Sequence, residues 1–212
     1  MGKFFSILCV CVFFLSACSG SEDNQSRELA PLPEVTCLAV LPVMVPVAES
    51  SRLTADRKKV LLAGASYLNS VMATEFGDGT EYKLLTENQL DAILGDPWGG
   101  REHQVKIIGD ATRCGAVLET SLTRYRDRVG TPMSAETPAS AAFSMELMDA
   151  TSGVVLWTSS FDETQKALFE DIFSFDKAQK RGFKWLSVEE LSGDGLKNRL
   201  KEIPFFKEDA AE

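Results

Sequence analysis

One histidine, three cysteines beyond residue 15 and several acidic clusters are the side chains of this 212-residue chain that could do chemistry. His103 is the sole histidine, so a Ser-His-Asp triad or an imidazole-based metal site could be built only around it. At a predicted helix start it reads as a surface residue. Asp162, Glu163, Glu170 and Asp171 contain the carboxylates for glycoside cleavage, but that reaction needs two acids held at a defined separation across a sugar cleft. Their clustering along the chain is equally that of solvated acids. There is no Gly-rich phosphate loop, no Gly-x-Ser-x-Gly elbow and no Cys-x-x-Cys pair. Neither an enzyme nor a metal or cofactor site is expected.

The cysteines point elsewhere. Lys3 precedes an apolar run from Phe4 to Phe14, too short to span a bilayer of ~30 Å and laid out as an export signal. Cys9 and Cys11 would be discarded with it. The run closes on Leu15-Ser16-Ala17-Cys18, which resembles the lipobox of bacterial lipoproteins. That resemblance implies cleavage before Cys18 and a diacylglycerol on its sulfur. At about 0.8 kcal/mol per buried methylene, the two or three acyl chains it implies hold a protein far more firmly than one myristoyl group. Ser19 in place of aspartate resembles the signal for transfer to the outer membrane. The expected placement is therefore the cell envelope, on the periplasmic side.

Two thiols then remain, Cys37 and Cys114. In an oxidising compartment they could bridge, closing a long loop worth up to ~4 kcal/mol, or stay as buried free cysteines, which are common.

A formal net charge of −9 argues against a duplex nucleic-acid binder, which needs a concentrated excess of Lys and Arg. With 44% hydrophobic and 25% charged residues, the chain has an ordinary globular composition sufficient for one core.

Ser19 to Pro33 is polar and ends in prolines, a tether without apolar periodicity. Val35 to Val45 is a near-continuous apolar run, as in a strand buried on both faces. Leu61, Ala65, Leu68, Met72 and Phe76 recur at helical spacing, with Gly77 as a natural stop. A short strand over Tyr82 to Leu85 leads into Thr86-Glu87-Asn88-Gln89, a capping-box pattern opening a helix. Glu102 to Arg113 is a further helix beyond the Gly95 to Gly100 breaker. Three strands follow at 116–126, 140–149 and 154–161, the last two joined as a hairpin through Asp149-Ala150-Thr151-Ser152-Gly153, with 129–138 read as a loop. From Gln165 onward the residues read as helical segments, with Phe169, Ile172 and Phe173 on one side and Leu191, Leu196 and Leu200 later.

Three features could bind a partner. Arg124, Arg126 and Arg128 share a strand face by period two; they could dock an acidic polymer or protein, or simply keep the strand edge from pairing. Trp98 sits in the 95–100 breaker, either an interface anchor or folded back on the core. Trp185 belongs to an aromatic-rich tail that either packs on the sheet or lines a groove.

The order strand, long helix, strand, two helices and three-stranded meander resembles the domain shared by CsgG, the penicillin-binding-protein activator LpoB and the N-terminal domain of TolB. The resemblance lies in Leu38-Ala39-Val40-Leu41-Pro42, in Cys114-Gly115-Ala116-Val117-Leu118 and in Asp149 to Trp157, and covers residues 35–161. It implies an α/β fold: a mixed sheet of about five strands with an antiparallel C-terminal meander, flanked by helices, plus a helical C-terminal extension. The expected division is 1–17 signal peptide, 18–33 lipidated cysteine and tether, 34–165 α/β domain and 166–212 helical extension. Turn glycines and strand hydrophobics specify a fold rather than a reaction. The functional expectation is a non-enzymatic accessory module held to the membrane by its lipid and bound to another envelope protein, with homo-oligomers allowed. The alternatives are an oligomeric subunit of a secretion or outer-membrane complex, and a hydrolase of envelope polymers.

Overall fold

Side chains alternate sides along Cys37 to Leu41, and both sides find apolar cover. Leu38 and Val40 enter one hydrophobic cluster, while Cys37, Ala39 and Leu41 enter another on the opposite face. This segment carries strand β1 (Leu38–Val40), the centre of the parallel half of a five-stranded sheet. The computed structural model describes residues 37–46, 53–77, 79–95, 99–165 and 185–204, all within one unit spanning Pro31–Glu212.

The remaining elements are α1 (Ala55–Phe76), β2 (Tyr82–Leu84), α2 (Glu87–Leu94), α3 (Arg101–Thr112), β3 (Ala116–Arg126), β4 (Val129–Thr131), β5 (Ser134–Thr137), β6 (Ser140–Asp149), β7 (Val155–Thr164) and α4 (Val188–Leu200). The sheet runs β2-β1-β3-β6-β7. Strand β1 is parallel to β2 and β3, whereas β3, β6 and β7 form an antiparallel meander. The mixed α/β architecture expected from the sequence is the one observed.

Helices α1 and α4 bury Leu61, Leu68, Met72, Leu191, Leu196 and their neighbours against one face of the sheet. Helices α2 and α3 bury Leu90, Val105 and Ile108 against the other, mainly over β1 and the start of β3. Both kinds of cap named by the sequence are present: the Thr86 hydroxyl accepts from Gln89 N while the Gln89 side chain accepts from Thr86 N, and Gly77 ends α1 with φ 58°. Helix α4 starts with a second capping box, Ser187 with Glu190.

Helix α4 tolerates Gly193 and Gly195 because of what lies against them. A Cβ on Gly195 would sit 2.6 Å from the Phe161 ring, so the glycine lets the helix axis approach β7. In the β6–β7 hairpin, Asp149 Oδ1 accepts from Thr151 N, Ser152 N and the Ser152 hydroxyl. Gly153 closes the turn at φ +71°, with Glu102 of α3 packed where a side chain would go.

Several boundaries differ from the sequence expectation. The apolar run from Val35 does not make one long strand. Only Leu38–Val40 forms a two-sided ladder, after which Leu41 N donates to Leu118 O, Met44 N to Thr120 O, and Leu122 N to Met44 O, with Pro42 interrupting the pattern. Residues 129–138, expected as a loop, carry the β4–β5 hairpin. The Thr131 hydroxyl accepts from Met133 N and Ser134 N at its tip. Strands of three and four residues are too short to display a period. The last strand extends to Thr164 rather than ending at Phe161. In the tail, Leu191, Leu196 and Leu200 are buried as the spacing required; Phe169, Ile172 and Phe173 lie outside the described residues. No helix among the described residues is long and apolar enough to cross a membrane.

Candidate functional site

Beyond the cover of α2 and α3, the meander presents a polar face. Glu119 stands opposite Glu146, Ser121 opposite Ser144 and Ser144 opposite Ser160, while Arg124 and Asp162 flank Ala142. Two ion-pair clusters bound this surface.

At one end lies a group the sequence reading did not single out. Glu119 and Glu146 face each other across β3 and β6, an arrangement that is repulsive if unrelieved. Arg101, on the first turn of α3, resolves it. Its Nε and Nη2 donate to Glu119 Oε2 at 3.2 and 3.1 Å, and Nη2 also pairs with Glu146. Burial works against the charge, but the hydrogen bond to Glu146 and the charge of Glu119 hold the guanidinium above its ordinary pKa. The cluster fastens α3 to the meander. Its only sequence trace was two acids at mid-strand positions, unreadable without the register.

At the other end stands the arginine series, and here the expected row is broken. The β3–β6 register shifts between Leu122 and Arg124. Arg124 is consumed internally: Nε donates to the Ser140 hydroxyl at 2.6 Å, Nη2 to Ala141 O at 3.3 Å, and the guanidinium pairs with Asp162. Hydrogen bonds from Arg124 hold the Asp162 carboxyl below its usual range. Arg126, opposite Ser140, is exposed. Arg128 lies beyond the end of β3, and its Nε and Nη1 are buried without a hydrogen-bond partner among the described residues. The three arginines thus have three different environments, because a bulge and a strand end interrupt the period on which a shared face depends.

Trp185 is half-buried. Its backbone N–H donates to Pro132 O at 2.8 Å, and Leu186 N donates to Gln165 Oε1 at 2.7 Å, tying the segment before α4 to the β4–β5 hairpin and the end of β7. Trp98 and the anchor residues Leu15, Ser16, Ala17 and Cys18 lie outside the described residues, as do Glu170 and Asp171. His103 is exposed on α3. Among the described residues no group of three or more His, Cys, Asp or Glu side chains is placed to hold a metal.

Cys37 and Cys114 form a disulfide, Cα to Cα 4.5 Å, across 77 residues of sequence. It staples the entry of β1 to the turn before β3, where Gly115 N also donates to Cys37 O. Both cysteines lie in the core under α2 and α3.

At the carboxyl ends of β1 and β2, between α1 and the start of α2, is a cleft of about 420 Å³. Connections leave these two strands toward opposite faces, the topological position where α/β sheets commonly hold ligands. Its walls are mainly apolar, and its polar groups are largely spent. Asn69 Oδ1 accepts from Val43 N at 2.8 Å, the Thr86 hydroxyl caps α2, and Glu87 is its one carboxylate. Among the described residues no serine, cysteine or histidine lines it.

The class defined by these observations is a mixed α/β module whose charged and hydroxyl side chains are displayed on the open face of a meander. No profile of a known protein family matches the chain, and no curated protein does. Among solved structures the chain is similar to the PelC dodecamer of Paraburkholderia phytofirmans (12% identity, TM-score 0.40, 75% of this chain and 80% of that one). It is similar also to the LpoB C-terminal domain from Salmonella enterica (15%, 0.33, 62% and 84%) and to lipoprotein GNA1162 from Neisseria meningitidis (14%, 0.36, 69% and 98%).

Proposed function

We propose that this chain is a lipid-anchored accessory module of the bacterial cell envelope that works by binding rather than by catalysis. The observation that carries the reading is Leu15-Ser16-Ala17-Cys18, placed where an export-type apolar run gives way to a polar tether. Residues 1–17 are the signal peptide, Cys18 bears the lipid, 18–33 are the tether, 34–165 the α/β domain and 166–212 its C-terminal extension. The Cys37–Cys114 disulfide supports an oxidising compartment. Ser19 favours the outer membrane, with the domain facing the periplasm. For contact with another envelope protein, Trp98, Trp185 and the exposed Arg126 are the residues on offer, while Arg124 is committed to Asp162.

Mass spectrometry of the chain purified from membranes tests this. The expected N-terminus is Cys18 carrying a diacylglyceryl group, and Cys18→Ala moves the protein out of the membrane fraction. Recovery of a chain that still begins at Met1, or a soluble cytosolic chain without acyl groups, refutes the reading. Crosslinking in intact envelopes should then return one stoichiometric partner whose yield falls with Arg126→Glu.

A further inference from the structure

Cys37 is the first residue described and lies just before β1, in which Leu38 stands level with Ala116 of β3. Its disulfide partner Cys114 sits two residues before Ala116, so the bridge joins the entry of β1 to the entry of β3. The two strands are held very differently. Strand β1 pairs over three residues on each side, whereas β3 runs for eleven residues and pairs with β6 at ten of them.

A pull from the N-terminal side reaches the sheet at β1. Without the bridge, the backbone between Cys37 and Arg126 passes through α1, β2, α2 and α3. Tension between those two residues would then be resisted only by packing and hydrogen bonds, first among them the short ladders of β1. With the bridge, the shortest covalent route is one disulfide followed by residues 114–126, nearly all of it strand already extended at ~3.3 Å per residue. No noncovalent contact has to yield for this route to carry tension, and residues 38–113 form a closed loop that stands off it. Because β1 and β3 are parallel, the bridge lies at one end of β3. At the other end are Arg126 and the hairpin to which Trp185 is tied through Pro132 O, two of the three residues on offer to a partner.

We propose that the Cys37–Cys114 bridge and β3 together form a covalent strap, which carries tension from the N-terminal tether to the Arg126 end of the sheet without unfolding the domain. The strap rests on the reading of residues 18–33 as a membrane tether, since a module held by lipid and gripped by a partner is pulled between the two.

Single-molecule pulling tests it, on residues 18–212 carrying Cys18→Ser, held by DNA handles at residue 18 and at Arg126→p-azidophenylalanine. The oxidised chain should show no unfolding step before the handles fail. Cys37→Ala with Cys114→Ala should add a step of roughly 25 nm, the extended length of residues 37–126 less the ~40 Å they span when folded. Circular dichroism reports that this variant is folded, and reductant applied to the chain that keeps Cys37 and Cys114 should produce the same step. A step of that length in the oxidised chain overturns the proposal. So does a bridge-free chain that shows no step before the handles fail, because β1 then holds the tether unaided. A membrane-purified chain that still begins at Met1 overturns it by a separate route, removing the tether while the pulling result stands.

Discussion

Removing the disulfide separates two physical pictures of Cys37 and Cys114. The bridge closes 77 residues of chain, and loop-closure entropy for that length corresponds to about 4.5 kcal/mol at 25 °C, drawn from the unfolded state. Measured bridges give 2–5 kcal/mol, so Cys37→Ala with Cys114→Ala should lower the unfolding free energy by roughly 3–4 kcal/mol. The discriminating quantity is additivity. If the bridge is what the pair contributes, either substitution alone abolishes it, and each single variant loses nearly as much as the double. If the thiols were independent buried side chains, each would cost about 1 kcal/mol and the two would add. Guanidinium denaturation of the oxidised chain, both single variants and the double gives the cycle directly, and incubation of the unsubstituted chain with a reductant should reproduce the double variant. Additive losses of about 1 kcal/mol each, with no effect of reductant, would refute the reasoning.

Gly195→Ala puts a methyl group 2.6 Å from the Phe161 ring, so overpacking of roughly 1–3 kcal/mol should outweigh the ~1 kcal/mol gained in helix propensity, and the thermal midpoint should fall. Gly193→Ala meets only the end of the Tyr67 side chain, which can swing aside, and should be neutral or stabilising by the same measurement. Thr120→Val removes a fully buried hydroxyl that has no hydrogen-bond partner among the described residues and should raise the unfolding free energy, read by guanidinium denaturation, by about 1 kcal/mol. For pH, burial and the neighbouring Glu189 push the Tyr125 phenol up from its ordinary value near 10, against an opposing hydrogen bond from Ser192. The folded state therefore holds this proton above the pH at which the unfolded state releases it. The stabilisation is complete below pH 10 and is lost as pH rises past it. Alkaline unfolding followed by tyrosinate absorbance should show that loss, and Tyr125→Phe should remove it.

How much of the fold could be read in advance follows from the length of each periodic signal. Helix α1 gives six turns in which to show its spacing, and β6 alternates over ten residues, so both were legible, as was the capping box that starts α2. The β4–β5 hairpin was not: its strands span three and four residues, and Gly130 at φ 120° with a register shift at Val129 erases the remaining alternation. Strand β1 was overextended for a related reason. An apolar run records burial on both sides, and Leu41 to Val43 are buried there whether or not they complete a ladder, so hydrophobicity alone could not mark where β1 stops pairing.

The candidate site was less legible because its chemistry depends on register, which is a property of pairs of strands. Arg124, Arg126 and Arg128 have identical spacing, and spacing was all the sequence displayed. One bulge beside Arg124 and the strand end after Arg126 convert that equality into an ion pair with Asp162 on the sheet surface, an exposed cation and a guanidinium lodged beyond the sheet. The same property concealed Arg101. Its partners Glu119 and Glu146 are 27 residues apart in sequence and become one cluster only when β3 and β6 pair with Leu118 opposite Leu147. A slip of one residue would turn each side chain of the moved strand to the other face and send an acid toward the α1 core. The apolar residues facing α1, namely Leu118, Leu122, Phe143, Met145 and Leu147, hold that slip in check. The polar face of the meander is thus specified by the side chains behind it.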